Sequence, residues 1–431
     1  MSVELAAIII IGGLMLLLAL GVEIAVSMGV MAAVGFIFFV DQPLIQIAWT
    51  AWGTLNSFTL LAMPLFIFMG AMFANTGVVR TLFEGTDKWV GFLPGGLASA
   101  VIAASAVFGA MSGSSIAAAA TFSLLSFPEM EKRGYNPKLA FGSIAIGGTL
   151  SVLIPPSLIL IVFGSWENQS VARLFAAAMV PGFLLAALLV LTVVVIVIFK
   201  PSWAPKSPPV SWKERLDGAK QVIPWLGVIA LVLGVIFGGV MTPTEAAALG
   251  AIISIFVCWA YGLLTFNAIK QSSITAIKVS AMIGFVLFTA RLLAFVFQAS
   301  GLTETFSSFI LNLPFGKYGT VFIICIMYLI LGMFFDSLSM MLLTLPFVMP
   351  AMTNLGFDPI WWGVVYVILA EIGLVTPPFG LNLFTIHGVL PKYSILQIAA
   401  GTLPFLIPMI LIIILLVIYP GIALWLPKLL Y

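Results

Sequence analysis

Two short stretches of polar residues interrupt long apolar runs, and both carry groups that could bind an ion. The first reads MSGSS and spans Met111 to Ser115, and the second reads FFDSLSM and contains Asp336 and Ser337. Hydroxyl and carboxylate groups are costly to bury in hydrocarbon, so they persist there when they have a partner or a function. Their hard oxygens suit hard cations. No nucleophile–base pair accompanies them, and the single histidine, His387, leaves too few ligands for a zinc or haem site. We therefore expect ion binding rather than catalysis.

Adjacent prolines follow each polar stretch, at Pro155-Pro156 and Pro377-Pro378. Such a pair removes two N–H donors and clashes with the preceding helical turn. We expect the helix that starts at residue 138 to unwind over residues 147–156, and a second half-helix to start near Ser157. The freed carbonyl groups are tolerated at bilayer depth only where they line a cavity or hold a cation. One Pro-Pro break is more often a kink than a site. Two breaks, each after a serine-bearing stretch, favour a sodium cage beside helix N-termini that attract an anion.

The elements that hold these residues must be membrane helices. Of 431 residues, 62% are hydrophobic and only 7% are charged, and the mean hydropathy is +1.24. These values are typical of an integral membrane protein. Nearly continuous apolar runs rule out the alternating pattern of a β-barrel, so we predict an all-α polytopic fold. The predicted segments are 4–20, 22–40, 43–75, 95–131, 138–165, 170–199, 223–240, 244–264, 267–299, 314–352, 359–388 and 394–427.

The two halves of this pattern are duplicates. A shift of 222 positions aligns prolines, glycines and other residues without a gap. This agreement predicts an internal repeat, as in many transporters. The aligned pairs are Glu23 with Glu245, Met111 with Met333, Ser115 with Ser337, Pro128 with Pro350, Met130 with Met352, Gly134 with Gly356, Pro137 with Pro359, and Pro155-Pro156 with Pro377-Pro378.

Each half is predicted to contain one re-entrant hairpin, because 95–131 and 314–352 are too long for one crossing and carry a polar centre. If the hairpins do not cross, each half crosses five times, and the second half is inverted. The predicted domains are a first repeat over 1–200, a connector over 201–222 and a second repeat over 223–431.

The distribution of positive charge predicts the orientation. With the N-terminus on one side, 13 of the 17 Lys and Arg residues fall on the opposite side, which is cytoplasmic by the positive-inside rule. We therefore expect both termini in the periplasm.

The run SGSSIAAAATFSLLSFPEMEKRGYNPKLAFGSIAIGGTLSVLIPPSLILIVFG, from Ser112 to Gly164, resembles the large membrane subunit of tripartite ATP-independent periplasmic (TRAP) transporters. The whole chain is similar to that family in length and layout. The resemblance implies a bacterial or archaeal inner-membrane sodium symporter for small organic acids such as dicarboxylates or sialic acid. It also implies an elevator-type mechanism, a separate small membrane subunit and a periplasmic substrate-binding protein. Sodium would be the coupling ion, and no organic cofactor or nucleic acid is implied.

The same resemblance implies two sodium sites, each built from a hairpin tip and a broken helix. Substrate contacts are assigned to Ser157, Asn382 and Arg291. The first sodium site would comprise Ser112, Gly113, Ser114, Ser115, Gly148, Thr149 and Pro155, and the second Asp336, Ser337, Ser339, Gly373, Thr376 and Pro377.

Several of these residues keep two interpretations. The second half has Asp336 and Glu371 where the first has Ser114 and Thr149. We favour cation coupling for Asp336, whereas Glu371 is equally well explained as a packing group. Arg291 either binds a substrate carboxylate or, as we favour, snorkels or pairs with an acidic neighbour. The alternative function is a single-component anion transporter of the same broad fold, driven by sodium or protons.

Overall fold

The computed structural model describes residues 3–40, 43–206 and 210–431. Within these ranges the chain is helical, without a β-strand, so the predicted all-α class is confirmed. Seven of the described helical spans are long and apolar enough to cross a membrane, or eight if one bent pair counts as a single span. The chain is thus a multi-pass membrane protein.

The first half contains eleven α-helices among its described residues. They are α1 (Val3–Ala19), α2 (Ile24–Phe38), α3 (Ile45–Leu55), α4 (Ala62–Asn75), α5 (Val78–Val90), α6 (Gly96–Ser112), α7 (Ser115–Leu125), α8 (Phe127–Lys132), α9 (Pro137–Leu153), α10 (Leu158–Trp166) and α11 (Val171–Phe199).

The second half contributes ten α-helices. They are α12 (Trp212–Phe237), α13 (Pro243–Ala260), α14 (Phe266–Ala299), α15 (Leu302–Leu311), α16 (Gly316–Gly332), α17 (Ser337–Asn354), α18 (Pro359–Leu374), α19 (Leu381–Val389), α20 (Ile395–Ile418) and α21 (Gly421–Leu430).

Three predicted segments differ from the observed helices. Segment 43–75 is not one continuous helix, because α3 and the helical stretch Thr59–Asn75 meet at a 54° bend. Segment 394–427 divides into α20 and α21. Helix α12 starts at Trp212, ahead of the predicted 223, because Ser211 and Glu214 form a capping box. The connector predicted over 201–222 is therefore helical in its second part, and its residues 207–209 lie outside the described ranges.

Two central helices position the site. Helix α9 is buried throughout Leu139–Leu153 and packs against α6, α7, α11 and α20. Helix α18 is buried throughout Ile360–Leu374 and packs against α16, α17, α11 and α20. We call these two helices, their continuations α10 and α19, and the hairpins α6–α7 and α16–α17 the inner unit. The break after α9 is buried over residues 154–157, whereas the break after α18 is exposed at Pro378 and Phe379.

A second group of helices flanks the inner unit. Helix α14 packs against α2, α3 and α4, and α13 packs against α4 and α12. We call α2, α3, α4, α12, α13 and α14 the outer group. The two groups meet closely at Gly70 of α4, where a Cβ atom would lie 2.6 Å from the Met111 carbonyl oxygen and the Ser112 Cα.

The repeats are tied together at one end of the inner unit. The Tyr393 hydroxyl donates a hydrogen bond of 2.9 Å to Glu131, and Lys392 lies 3.4 Å from the same carboxylate. The hydrogen bond from Tyr393 is the main cause of a lowered pKa of Glu131. This contact joins the end of the first hairpin to the segment before α20.

Candidate functional site

The first hairpin turns at Gly113. Helix α6 ends at Ser112, and Gly113 adopts a left-handed conformation with φ of 60°, which glycine takes at little cost. The Ser114 side chain then accepts a hydrogen bond of 3.3 Å from the Ala117 N–H and caps α7. This MSGSS sequence thus ends one helix and begins the next within three residues.

The second hairpin turns through residues 333–336 and uses an aspartate as its cap. Oδ1 of Asp336 accepts hydrogen bonds of 3.0 Å from both the Leu338 and the Ser339 N–H groups. One carboxylate oxygen therefore fixes the start of α17, and the other oxygen has no described partner. The negative charge also lies at the positive end of the helix dipole.

The break after α9 is shorter than the sequence predicts. The expectation of unwinding from Gly147 is wrong, since α9 stays helical to Leu153 and only residues 154–157 are irregular. The two glycines instead allow close packing. A Cβ atom at Gly147 would lie 2.7 Å from the Ser105 hydroxyl, and one at Gly148 would lie 2.9 Å from the Ser115 carbonyl oxygen. Gly148 thus contacts the first tip, as its assignment to the first site requires.

The second break makes equivalent contacts with the second tip. The main-chain N–H of Gly380 donates a hydrogen bond of 3.1 Å to the Met333 carbonyl. A Cβ atom at Gly373 would lie 2.5 Å from the main-chain carbon of Gly332, so the backbones of α16 and α18 touch. The Thr376 hydroxyl donates to the Ile372 carbonyl at 2.6 Å. Of the residues predicted for the second site, Gly373 therefore contacts the second hairpin, whereas the Thr376 hydroxyl bonds to the preceding turn of its own helix.

Glu371 lies between the two tips. Its side chain is 1% exposed, and its Oε1 atom accepts a hydrogen bond of 3.3 Å from the Ser337 hydroxyl. Ser115 of the first tip lines the same cavity as this carboxyl group. The Oε2 atom is buried and has no described partner. One acidic side chain is therefore bonded to the second tip and shares a cavity with the first.

Both tips and Glu371 line one cavity of about 530 Å³ between the inner unit and the outer group. The outer wall is formed by α4 and α14. The polar atoms of the cavity lining lie mainly at the two tips. One of them, the Ser112 hydroxyl, is buried and has no described partner. The predicted sodium-site residues that line this cavity are Ser112, Gly113, Ser114, Ser115, Asp336, Ser337 and Ser339.

Other predicted residues lie behind the cavity lining. The Thr149 hydroxyl donates to the Ile146 carbonyl at 2.7 Å, and Ser157 caps α10 by accepting from the Leu160 N–H at 3.4 Å. Asn382 is fully buried, and neither atom of its amide has a described partner. Pro155 and Pro377 form part of the breaks without lining the cavity.

Arg291 contacts the end of α10 rather than the hairpin tips. Its guanidinium group donates hydrogen bonds to the Trp166 carbonyl at 3.1 Å and the Ser165 carbonyl at 3.4 Å, and lies 4.0 Å from the centre of the Trp166 ring. These carbonyls end α10, where a cation compensates the negative end of the helix dipole. Arg291 does not line the cavity.

Sequence reasoning did not select three polar residues that line the cavity, Glu23, Asn75 and Thr275. Glu23 starts α2 and makes no capping hydrogen bond. Asn75 ends α4 and donates to the Ser272 hydroxyl at 3.0 Å. The alignment of Glu23 with Glu245 was a usable signal, but it was interpreted only as evidence for the repeat.

The arrangement can bind a hard cation. The tips supply hydroxyl groups, carbonyl groups and two carboxylates beside helix ends, which are the ligands that such ions prefer. The described part of the chain has no group of three His, Cys, Asp or Glu residues suited to a transition metal.

Comparison with known proteins gives a consistent result. A family model described as the DctM component of the tripartite ATP-independent periplasmic transporter matches residues 11–422. The C4-dicarboxylate TRAP transporter large permease protein DctM of Vibrio cholerae is 32% identical, with 100% of this chain and 98% of that protein covered. The protein of the same name from Pseudomonas aeruginosa is 34% identical, with 93% and 94% covered. The sialic acid TRAP transporter large permease protein SiaM of Vibrio cholerae is 29% identical, with 88% of each chain covered.

Two solved structures share the fold. The Alcanivorax borkumensis YdaH transporter superposes with a TM-score of 0.59 at 16% identity, covering 92% of this chain and 96% of that one. Neisseria gonorrhoeae MtrF, described as illuminating a class of antimetabolite efflux pumps, gives a TM-score of 0.57 at 13% identity, covering 91% and 93%. At these identities the likeness concerns the fold alone.

Proposed function

The chain belongs to the DctM family of TRAP transporter large permease components, and we propose that it is a sodium-coupled permease that imports a small organic acid from a periplasmic binding protein. It is a transport protein rather than an enzyme, since its relatives are named as permeases. Membership also makes it a multi-pass inner-membrane protein. Sodium coupling, direction and dependence on partners are the parts that we propose.

The observation that carries the proposal is the meeting of two serine-bearing tips at one cavity. The tips come from the two repeats, and Glu371, which is hydrogen-bonded to Ser337 of the second tip, lines the same cavity. A membrane-embedded cavity with buried, unpartnered polar atoms is costly unless those atoms bind a ligand. The Ser112 hydroxyl and the Glu371 Oε2 atom are such atoms.

The chemistry of the tips fits sodium. Sodium bound there would neutralise the carboxylates of Asp336 and Glu371 and offset the charge of an incoming organic anion. The residues proposed to hold it are those of the two tips, supported from behind by Gly148 and Thr149 in one half and by Gly373 and Thr376 in the other. The helix N-termini of α7 and α17 add positive potential on the same side.

We propose that the inner unit moves as the elevator and the outer group stays fixed. The division is supported by the cavity between them and by the shielding of α9 and α18 within protein. A small membrane subunit would widen the fixed group, and a substrate-loaded binding protein would dock on the periplasmic face. In this arrangement both termini are periplasmic and the basic residues 132, 133 and 138 are cytoplasmic.

Reconstitution of the purified components tests the proposal. We expect no uptake under a sodium gradient by this chain alone. Uptake should appear when the small subunit and the substrate-loaded binding protein are added on the outer face. Robust uptake of free substrate by the single chain would instead support the one-component alternative.

A further inference from the structure

Among the described residues that line the cavity, every charged side chain is acidic. They include three acidic side chains, Glu23, Asp336 and Glu371, and no lysine, arginine or histidine. An organic anion in this cavity therefore meets no basic side chain of the described lining. Its carboxylate must be stabilised by main-chain N–H groups, hydroxyl groups and bound cations.

Those stabilising groups are concentrated at the hairpin tips. Helices α7 and α17 both start there, the Ser112 hydroxyl is buried without a described partner, and the unpartnered Glu371 Oε2 atom is available to a balancing cation. The positive ends of the two helices and the cations that balance the acidic side chains suit one carboxylate group. The tips therefore provide one anionic subsite.

The wall opposite the tips is largely apolar, and its polar side chains are Asn75, whose amide donates to the Ser272 hydroxyl, and Thr275. It is formed by side chains such as Ile67 and Ala71 of α4 and Val279, Ile283 and Val286 of α14. These residues lie inside helices, so their N–H groups are already bonded within the helix. A charged group against the aliphatic part of this wall would lose its hydration without gaining a charged partner.

Glu23 makes a second negative charge on the substrate still less favourable. It is exposed, lines the cavity and has no capping bond that would engage its carboxylate. A carboxylate on the far part of a substrate would be repelled by it. An apolar group in the same position would instead be buried against aliphatic side chains.

We propose that the substrate is a monocarboxylate with an apolar body, branched aliphatic or aromatic, rather than a dicarboxylate. The proposal rests on the transport function proposed above and narrows its substrate class. The carboxylate lies at the tips, and the apolar body lies against α4 and α14.

Three ligands with a common propanoate portion test this assignment. They are 4-methylpentanoate, 3-phenylpropanoate and succinate, which carry an isopropyl group, a phenyl group and a second carboxylate on the same two-carbon chain. Binding to the purified permease in sodium is measured by ligand-dependent thermal stabilisation, which avoids selection by a binding protein. We expect at least one monocarboxylate to bind with a dissociation constant lower than that of succinate by about tenfold or more.

A charge reversal at Glu23 provides the matched test. Glu23→Lys should strengthen succinate binding and reduce the preference for the monocarboxylates, because it supplies a partner for the second carboxylate. Glu304→Lys makes the same charge change in the first turn of α15, outside the cavity lining. That control should leave the ratio of dissociation constants unchanged.

Succinate binding as tight as the tighter-binding monocarboxylate, or binding of none of the three, would overturn the substrate class. So would an unchanged ratio in Glu23→Lys. Failure of the broader function has a different signature, since it would appear as the absence of sodium-dependent stabilisation and of uptake by the reconstituted three-component system.

Discussion

Replacement of Asp336 by asparagine separates the two tasks of this side chain. Oδ1 caps α17 through two N–H groups at 3.0 Å, and the other carboxylate oxygen has no described partner. Asparagine retains an oxygen for the cap and is about as good a capping residue as aspartate. The substitution therefore removes the charge and one anionic oxygen while keeping the helix start.

The expected effects on stability and on sodium binding follow from this separation of the two tasks. Because the cap is retained, the free energy of unfolding should change by no more than about 0.5 kcal/mol. The loss of one charged ligand should cost sodium binding about 1.5–3 kcal/mol, which raises the half-saturating sodium concentration about 10- to 150-fold.

The assay is sodium-dependent uptake by the reconstituted system, with thermal unfolding measured on the same preparations. Asp358→Asn is the matched control, since Asp358 caps α18 through the Ile360 N–H at 2.8 Å and does not line the cavity. It should leave the sodium dependence unchanged. An unchanged half-saturating concentration in Asp336→Asn would assign Asp336 to capping alone and refute the reasoning.

Two further predictions concern topology and packing. In otherwise cysteine-free protein, a single cysteine that replaces Lys132 should react with an impermeant reagent only from the cytoplasm. A single cysteine that replaces Asp358 should react only from outside. External labelling at position 132 would contradict the inverted repeat. Gly373→Ala should destabilise the protein by about 1–3 kcal/mol and reduce uptake, because the new methyl group overlaps the backbone of Gly332. Gly388→Ala is its control, because nothing lies within 4 Å of the added atom. Equal unfolding temperatures for the two variants would show that the close approach of Gly373 to Gly332 does not affect stability.

The sequence was most informative where rules of backbone chemistry apply locally. The Pro155-Pro156 and Pro377-Pro378 pairs predicted helix breaks, and the glycine and serines of the first tip predicted a turn within an apolar run. Duplication strengthened both predictions, since each feature recurs after the same shift. The start of α12 could also have been predicted from Ser211 and Glu214, because their spacing is that of a capping box.

Features that depend on tertiary packing were not predictable. The Pro155-Pro156 pair favoured unwinding from Gly147 onward, but α9 stays helical to Leu153, with Gly147 and Gly148 packed against the first hairpin. The hydrogen bond of Glu371 with Ser337, and its place in the cavity that both tips line, depend on how α18 packs against the hairpins. Nothing in the local sequence distinguishes that contact from ordinary packing.

Sodium-driven accumulation is the measurement that tests the central claim most directly. Proteoliposomes containing the complete system are given an inward sodium gradient, an outward sodium gradient or a proton gradient without sodium, and labelled substrate and labelled sodium are counted together. The account predicts substrate accumulation with concurrent sodium uptake under the inward sodium gradient alone. Accumulation driven by protons in the absence of sodium would contradict it.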